Sequence, residues 1–215
     1  MIDRLLYPKD NFCYICMDES RNLKHSLCTE CRSRIEEIHK EFKIDSPYIK
    51  KCYSSFFYNN FIKDSIHRFK FEDKSYLYRP FHSYMIETIS HNNLTDFDII
   101  IPVPIHWRKE ATRGYNQAYL LAKPIAMKME KNVLKDCLVK SRWTKEQNTL
   151  SAYERKRNLI DSFSVKKRER IQDKRILLID DIFTTGSTLK ICSQTLVEAG
   201  AAEVMALTLT STKIE

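Results

Sequence analysis

The chain has 215 residues, 43% of them apolar, and a formal net charge of +8. That length accommodates one good-sized α/β domain with a small appendage and excludes two full catalytic domains, and the apolar share excludes disorder. No apolar run approaches the roughly 18–20 residues of a membrane span, and MIDRLLYPKD has no apolar stretch behind its charges, so membrane insertion and export are not expected and a cytoplasmic location is.

Taken in chain order, residues 1–40 form a cysteine module. Cys13, Cys16, Cys28 and Cys31 stand as C-x2-C-x11-C-x2-C, while Cys52, Cys137 and Cys192 are isolated. Two close thiolate pairs on tight turns can be brought together into the tetrahedral sulfur cage that zinc prefers, and four thiolates leave no open position, so the Zn²⁺ is structural. A disulfide framework is the alternative, disfavoured by an odd cysteine total in a reducing compartment. His25 is a weaker candidate ligand. A short helix is expected from about Thr29.

Residues 41–95 are aromatic and basic. SSFFYNNF reads as a strand and turn, FIKDSIHRFKF as a helix and YRPFHSYMIETI as another, their aromatic positions serving core or interface packing. From residue 96 the texture becomes alternating strands and helices. FDIIIPVPI reads as a buried strand. A helix from about Asn116 then carries Ala118, Leu121, Ala122, Ile125, Ala126 and Met129 on one face, with Pro124 off that stripe. A strand at 133–139, a long basic segment, the apolar strand KRILLID, a helix from Ser187 to Ala199 closed by Gly200, and the strand EVMALTLT follow. This is the pattern of an α/β, doubly wound, mainly parallel sheet, which takes its ligand at the carboxyl ends of its strands.

Only three glycines occur, Gly114, Gly186 and Gly200, against about 7% of residues in an average protein. Gly186 lies in ILLIDDIFTTGSTL. A turn of small hydroxyl residues before a helix offers unpaired N–H groups and partial positive charge to a phosphate. Thr184, Thr185, Ser187 and Thr188 add hydroxyl donors and Gly186 allows close backbone approach. Asp180 and Asp181, expected at the solvated end of the strand, suit sugar hydroxyls or a hydrated Mg²⁺. A phosphate and a diol side by side describe a ribose 5-phosphate.

ILLIDDIFTTGST resembles the phosphoribosyl diphosphate (PRPP) signature of type I phosphoribosyltransferases, with Phe183 slightly unusual. IPVPIHWRKEATRGYNQAYLLA is similar to the Pro-x-Pro and Arg-Gly-aromatic-Asn-Gln motifs of the ComF competence family, through Pro102, Pro104, Arg113, Gly114, Tyr115, Asn116 and Gln117. RWTKEQNTLSAYERKRNLIDSF resembles that family's connecting loop through Gln147, Leu150, Arg155, Arg157, Asn158 and Phe163. Trp107, Glu110, Ala111 and the missing glycine after Lys70 depart from the pattern.

The resemblance implies a phosphoribosyltransferase-like core at 96–215, a hood over the strand ends at 41–95 and the zinc module at 1–40. It implies PRPP with Mg²⁺, the acidic pair on the ribose and the following turn on the 5-phosphate. Arg108, Lys109 and Arg113 become candidates for the pyrophosphate, with Arg142, Gln147, Arg155 and Arg157 on a loop above. Competence proteins and single-stranded DNA become candidate partners. The charge distribution is compatible with DNA, because residues 140–175 hold twelve Lys or Arg against five acidic residues, a net +7, with Trp143 and Tyr153 available for stacking; it is equally compatible with a loop that only meets pyrophosphate or with a solvated linker. The other reading is a conventional phosphoribosyltransferase for a small nitrogenous base.

Overall fold

The computed structural model describes residues 11–141 and 162–212. Its strands are β1 (Glu37–Phe42), β2 (Lys51–Phe57), β3 (Ile99–Pro102), β4 (Asn132–Val133), β5 (Leu138–Lys140), β6 (Phe163–Val165), β7 (Arg175–Phe183) and β8 (Glu203–Ser211). The α-helices are α1 (Thr29–Ser33), α2 (Asn60–Phe71), α3 (Tyr78–His91), α4 (Trp107–Arg113), α5 (Gln117–Lys128) and α6 (Ser187–Glu198). Six strands form one sheet in the order β1-β2-β8-β7-β3-β4, with β1 alone antiparallel to its neighbour. The expected doubly wound, mainly parallel sheet is therefore present.

Alternation along the strands sends side chains to two buried faces, which is why these strands read as continuous apolar runs. Ile100, Leu177, Ile179, Met205 and Leu207 meet α3 and α5 on one face. Ile99, Ile101, Ile176, Leu178, Val204 and Ala206 meet α6 on the other. Helix α5 buries Ala118, Leu121, Ala122, Ile125 and Ala126, as its stripe predicts, and Pro124 stays half-exposed off that stripe.

Three expectations change. The strand expected at 133–139 is two short ones, because β4 pairs with β3 at the sheet edge whereas β5 turns away to pair antiparallel with β6. The strand KRILLID continues to Phe183, because its ladder with β8 runs on through Asp180↔Thr208, Ile182↔Thr210 and Phe183↔Ser211. Residues 41–95 contribute to the main sheet: β2 is a strand of it beside β8, and α3 buries Phe81, Tyr84, Met85 and Ile89 against it. The sheet thus crosses the expected boundary at 95/96.

The cysteine module shares this core. Cys13, Ile15, Leu27, Cys31 and Ile35 pack in the same cluster as Phe69 and Phe81. Arg68 donates to the Ile15 carbonyl at 2.8 Å, and Arg79 to the Tyr14 hydroxyl at 3.0 Å. Among the described residues no helix is long and apolar enough to cross a membrane.

Candidate functional site

Each cysteine pair lies on a tight turn. The Met17 amide donates to the Cys13 carbonyl at 2.8 Å, with Met17 at φ 66°, and the Cys28 sulfur caps α1 by accepting from the Cys31 amide at 3.4 Å. The four sulfurs lie within 4.8 Å of one another, Cys16 and Cys28 at 3.8 Å. Tetrahedral Zn–S bonds of about 2.3 Å require sulfurs roughly 3.8 Å apart, so the set could hold one Zn²⁺. Burial works against a Cys13 thiolate, but amides of Cys28, Cys16 and Ile15 stabilise it and bring its pKa down to about 7. Cys16 moves the other way, up to about 12, chiefly through burial. His25 is not among the clustered ligands; its Nε2 lies 2.8 Å from Glu87 on α3. The three isolated cysteines are buried.

At the carboxyl end of β7 the acidic pair is less solvated than expected. Asp181 is only 8% exposed and is bound by Lys70, at the end of α2, with Nζ 2.7 and 2.9 Å from its two oxygens. Because β7 continues to Phe183, both aspartates lie within the ladder rather than beyond it. Burial pushes the Asp180 carboxyl up to about 7, the Asp181 charge adds to that shift, and Lys70 and Lys140 oppose it. A raised folded-state pKa means the folded chain takes up a proton before the unfolded chain does. The destabilisation from a charged Asp180 is therefore complete above about pH 7 and relieved as pH falls toward 4. Asp180→Asn is expected to raise the melting temperature at pH 8 and leave it little changed at pH 4; equal melting temperatures at pH 8 would count against this origin.

Beyond the pair, Gly186 takes φ 72° and leads directly into α6. A β-carbon there would meet the Phe183 ring at 2.6 Å, and Phe183 cannot yield easily because it is buried edge-on to Phe42 at 4.7 Å. Thr185 and Ser187 join hydroxyls at 2.8 Å across the turn, while Thr184, Thr185 and Ser187 are exposed and Thr188 half-buried. Gly186→Val is expected to cost about 2–4 kcal/mol, from the left-handed backbone and the ring contact together. Denaturant unfolding checks it, and a midpoint equal to the parent's contradicts it.

The candidate cations approach from β3. Helix α4 follows that strand, capped by His106 at its start and by left-handed Gly114 (φ 83°) at its end. Arg113 is half-buried, donates to Gln117 at 2.5 Å and feels the Asp181 charge. Gln117 and Tyr115 in turn donate to the Phe69 carbonyl at 3.2 and 2.7 Å, and Asn116 to the Val103 carbonyl at 3.0 Å, so the Arg-Gly-Tyr-Asn-Gln run ties α2 to the end of β3. Arg108 and Lys109 are exposed. Burial lowers the Lys140 pKa, and the nearby Lys109 charge lowers it further.

Lys70 is absent from the candidate residues the sequence suggested, and Lys140 enters there only as the first residue of the basic run. Each is one lysine among 36 basic residues, and only the fold brings them to Asp181 and Asp180. Arg142, Gln147, Arg155 and Arg157 lie outside the described residues.

The chain is 27% identical to competence protein ComFC of Bacillus subtilis over 95% of its own length and 86% of that protein's. Along most of its length it is similar to competence proteins of the ComF type. It is also 27% identical to competence protein F of Haemophilus influenzae, over 89% of this chain and 93% of that one. With DNA utilization protein YhgH of Escherichia coli it shares 32% identity over 65% of this chain and 62% of the relative. No protein-family model matches. Solved structures with a similar arrangement include orotate phosphoribosyltransferase from Aeropyrum pernix, at a TM-score of 0.40 and 17% identity, covering 85% of this chain and 78% of that one. Another is glutamine PRPP amidotransferase from Bacillus subtilis, at a TM-score of 0.38 and 21% identity, covering 52% of this chain and 22% of that one.

Proposed function

We propose that the protein binds PRPP with Mg²⁺ at the carboxyl ends of β3 and β7 and acts on or with single-stranded DNA during DNA uptake, in the cytoplasm and alongside other competence proteins. The observation that carries this reading is the juxtaposition of Asp180 and Asp181 with the Gly186 turn at the start of α6, in a chain similar to competence and DNA-utilization proteins.

The 5-phosphate would take the turn from Thr184 to Thr188, where backbone N–H groups and hydroxyls neutralise it. The ribose hydroxyls would take the carboxylates, with Lys70 exchanging its bond to Asp181 as the sugar enters. Pyrophosphate would meet Arg113, Lys109 and Arg108, with Arg142, Gln147, Arg155 and Arg157, which lie outside the described residues, proposed as further contacts. Mg²⁺, when bound, supplies charge neutralisation on the leaving pyrophosphate. Displacement at the anomeric carbon passes through an oxocarbenium-like state, so the chain's own contribution is positioning and the placing of cations where negative charge develops.

The test is pyrophosphate release by the zinc-loaded protein given PRPP, Mg²⁺ and a panel of free bases and oligonucleotides. Release with oligonucleotide supports transfer to DNA, and release with one free base supports the conventional transferase. Calorimetric binding of PRPP without release makes it a ligand. Absence of PRPP binding overturns the reading.

A further inference from the structure

Among the described residues the exposed large hydrophobic side chains are Met17, Phe71, Trp107 and Met127, and the two aromatic ones stand next in the chain to segments that carry candidate site residues. Phe71, 65% exposed, immediately follows Lys70 at the end of α2, whose ammonium reaches Asp181. Trp107, 63% exposed, opens α4 directly after the carboxyl end of β3. An arginine lies over each ring: Arg113 is 5.1 Å from the Phe71 centroid and Arg108 is 5.2 Å from that of Trp107. Helix α4 joins the two arrangements, with about 9 Å between Trp107 and Arg113 at 1.5 Å per residue.

This helix has no fully buried residue, so core packing does not explain its exposed Trp107, Arg108 and Lys109. It carries Arg108, Lys109 and Arg113 against a single acid, Glu110, which Lys135 already pairs at 3.0 Å. Scattered exposed hydrophobics are ordinary. Two exposed rings, each with its own guanidinium and set along one basic helix, match what a single strand presents: bases with π faces and phosphates between them.

We propose that Phe71 and Trp107, with Arg113 and Arg108, form a stacking platform for the bases of single-stranded nucleic acid at the mouth of the PRPP site. The proposal rests on the reading of that site given above and moves the nucleic-acid contact away from the basic run at 140–175. The described residues of that run divide in the fold. Lys140 lies near Asp180, whereas Lys174 and Arg175 stand at the amino end of β7, about 20 Å from Asp181 at roughly 3.3 Å per residue. Lys166, Lys167 and Arg168 are exposed in the segment that leads to that amino end.

The chain has two tryptophans, Trp107 and Trp143, so Trp143→Phe leaves Trp107 as sole reporter. Its fluorescence is expected to be quenched on titration with an oligothymidylate. By anisotropy with a labelled oligonucleotide, Phe71→Ala and Trp107→Ala are each expected to weaken binding roughly 5- to 150-fold, the equivalent of about 1–3 kcal/mol per stacked base. The slope of log affinity against log salt is unchanged in both, since no charge is lost, whereas Arg108→Gln flattens it by about 0.7. Trp107→Phe restores most of the affinity. Wild-type oligonucleotide affinity in both alanine variants overturns the platform and leaves the PRPP reading standing. So does a flattened slope in the combined Lys166, Lys167 and Arg168 neutral variant with no effect of the rings. Wild-type protein that binds PRPP but no oligonucleotide even at low salt removes nucleic acid as a partner altogether.

Discussion

Cys13→Ser or Cys31→Ser is expected to yield protein that fails to fold cooperatively, rather than a folded but inactive one. Both sulfurs are buried, at 0% and 4% exposure for their residues, in the same cluster as the helices that cover the sheet. Structural zinc contributes about 10–16 kcal/mol in zinc-finger peptides, as large as the whole net stability of a typical domain, about 5–15 kcal/mol. Here the module also anchors α2 and α3 through Arg68 and Arg79, so its loss exposes Phe69 and Phe81 as well. Metal analysis should find one zinc per chain. A metal-free protein with an unchanged cooperative melt is the result that would sink the structural role.

Replacing Asp180 and Asp181 together with alanine is expected to reduce Mg²⁺-dependent PRPP affinity by at least about 100-fold, because hydrogen bonds to charged groups contribute about 1.5–3 kcal/mol each and two carboxylates are lost. Calorimetry decides it, and parent-like affinity would refute the ribose role. Stability does not follow the simple expectation for solvated strand-end carboxylates. Asp181→Asn leaves the half-buried Lys70 without its anion and is expected to cost about 1–3 kcal/mol. Asp180→Asn acts in the opposite direction above pH 7, since it removes a charge that burial disfavours. The two single variants therefore separate in melting temperature while both lose PRPP.

The linear sequence by itself determined the layout: short apolar runs bounded by charges, such as ILLI, read as strands buried on both faces, and two C-x2-C pairs define their own ligand set. It also located the acidic pair and the Gly186 turn, because those residues are adjacent in the chain and their chemistry is local. Everything that depends on distance along the chain was decided by tertiary structure. Lys70 lies 111 residues from Asp181, and no periodicity distinguishes it from other surface lysines. The membership of β2 in the main sheet rests on its ladder with β8, more than 150 residues away, since an apolar strand carries no mark of its partner. The basic run at 140–175 looked like one patch because charge was summed along the chain. A strand of nine residues then carries Arg175 and Asp181 to opposite ends of the sheet, and potential depends on separation in space.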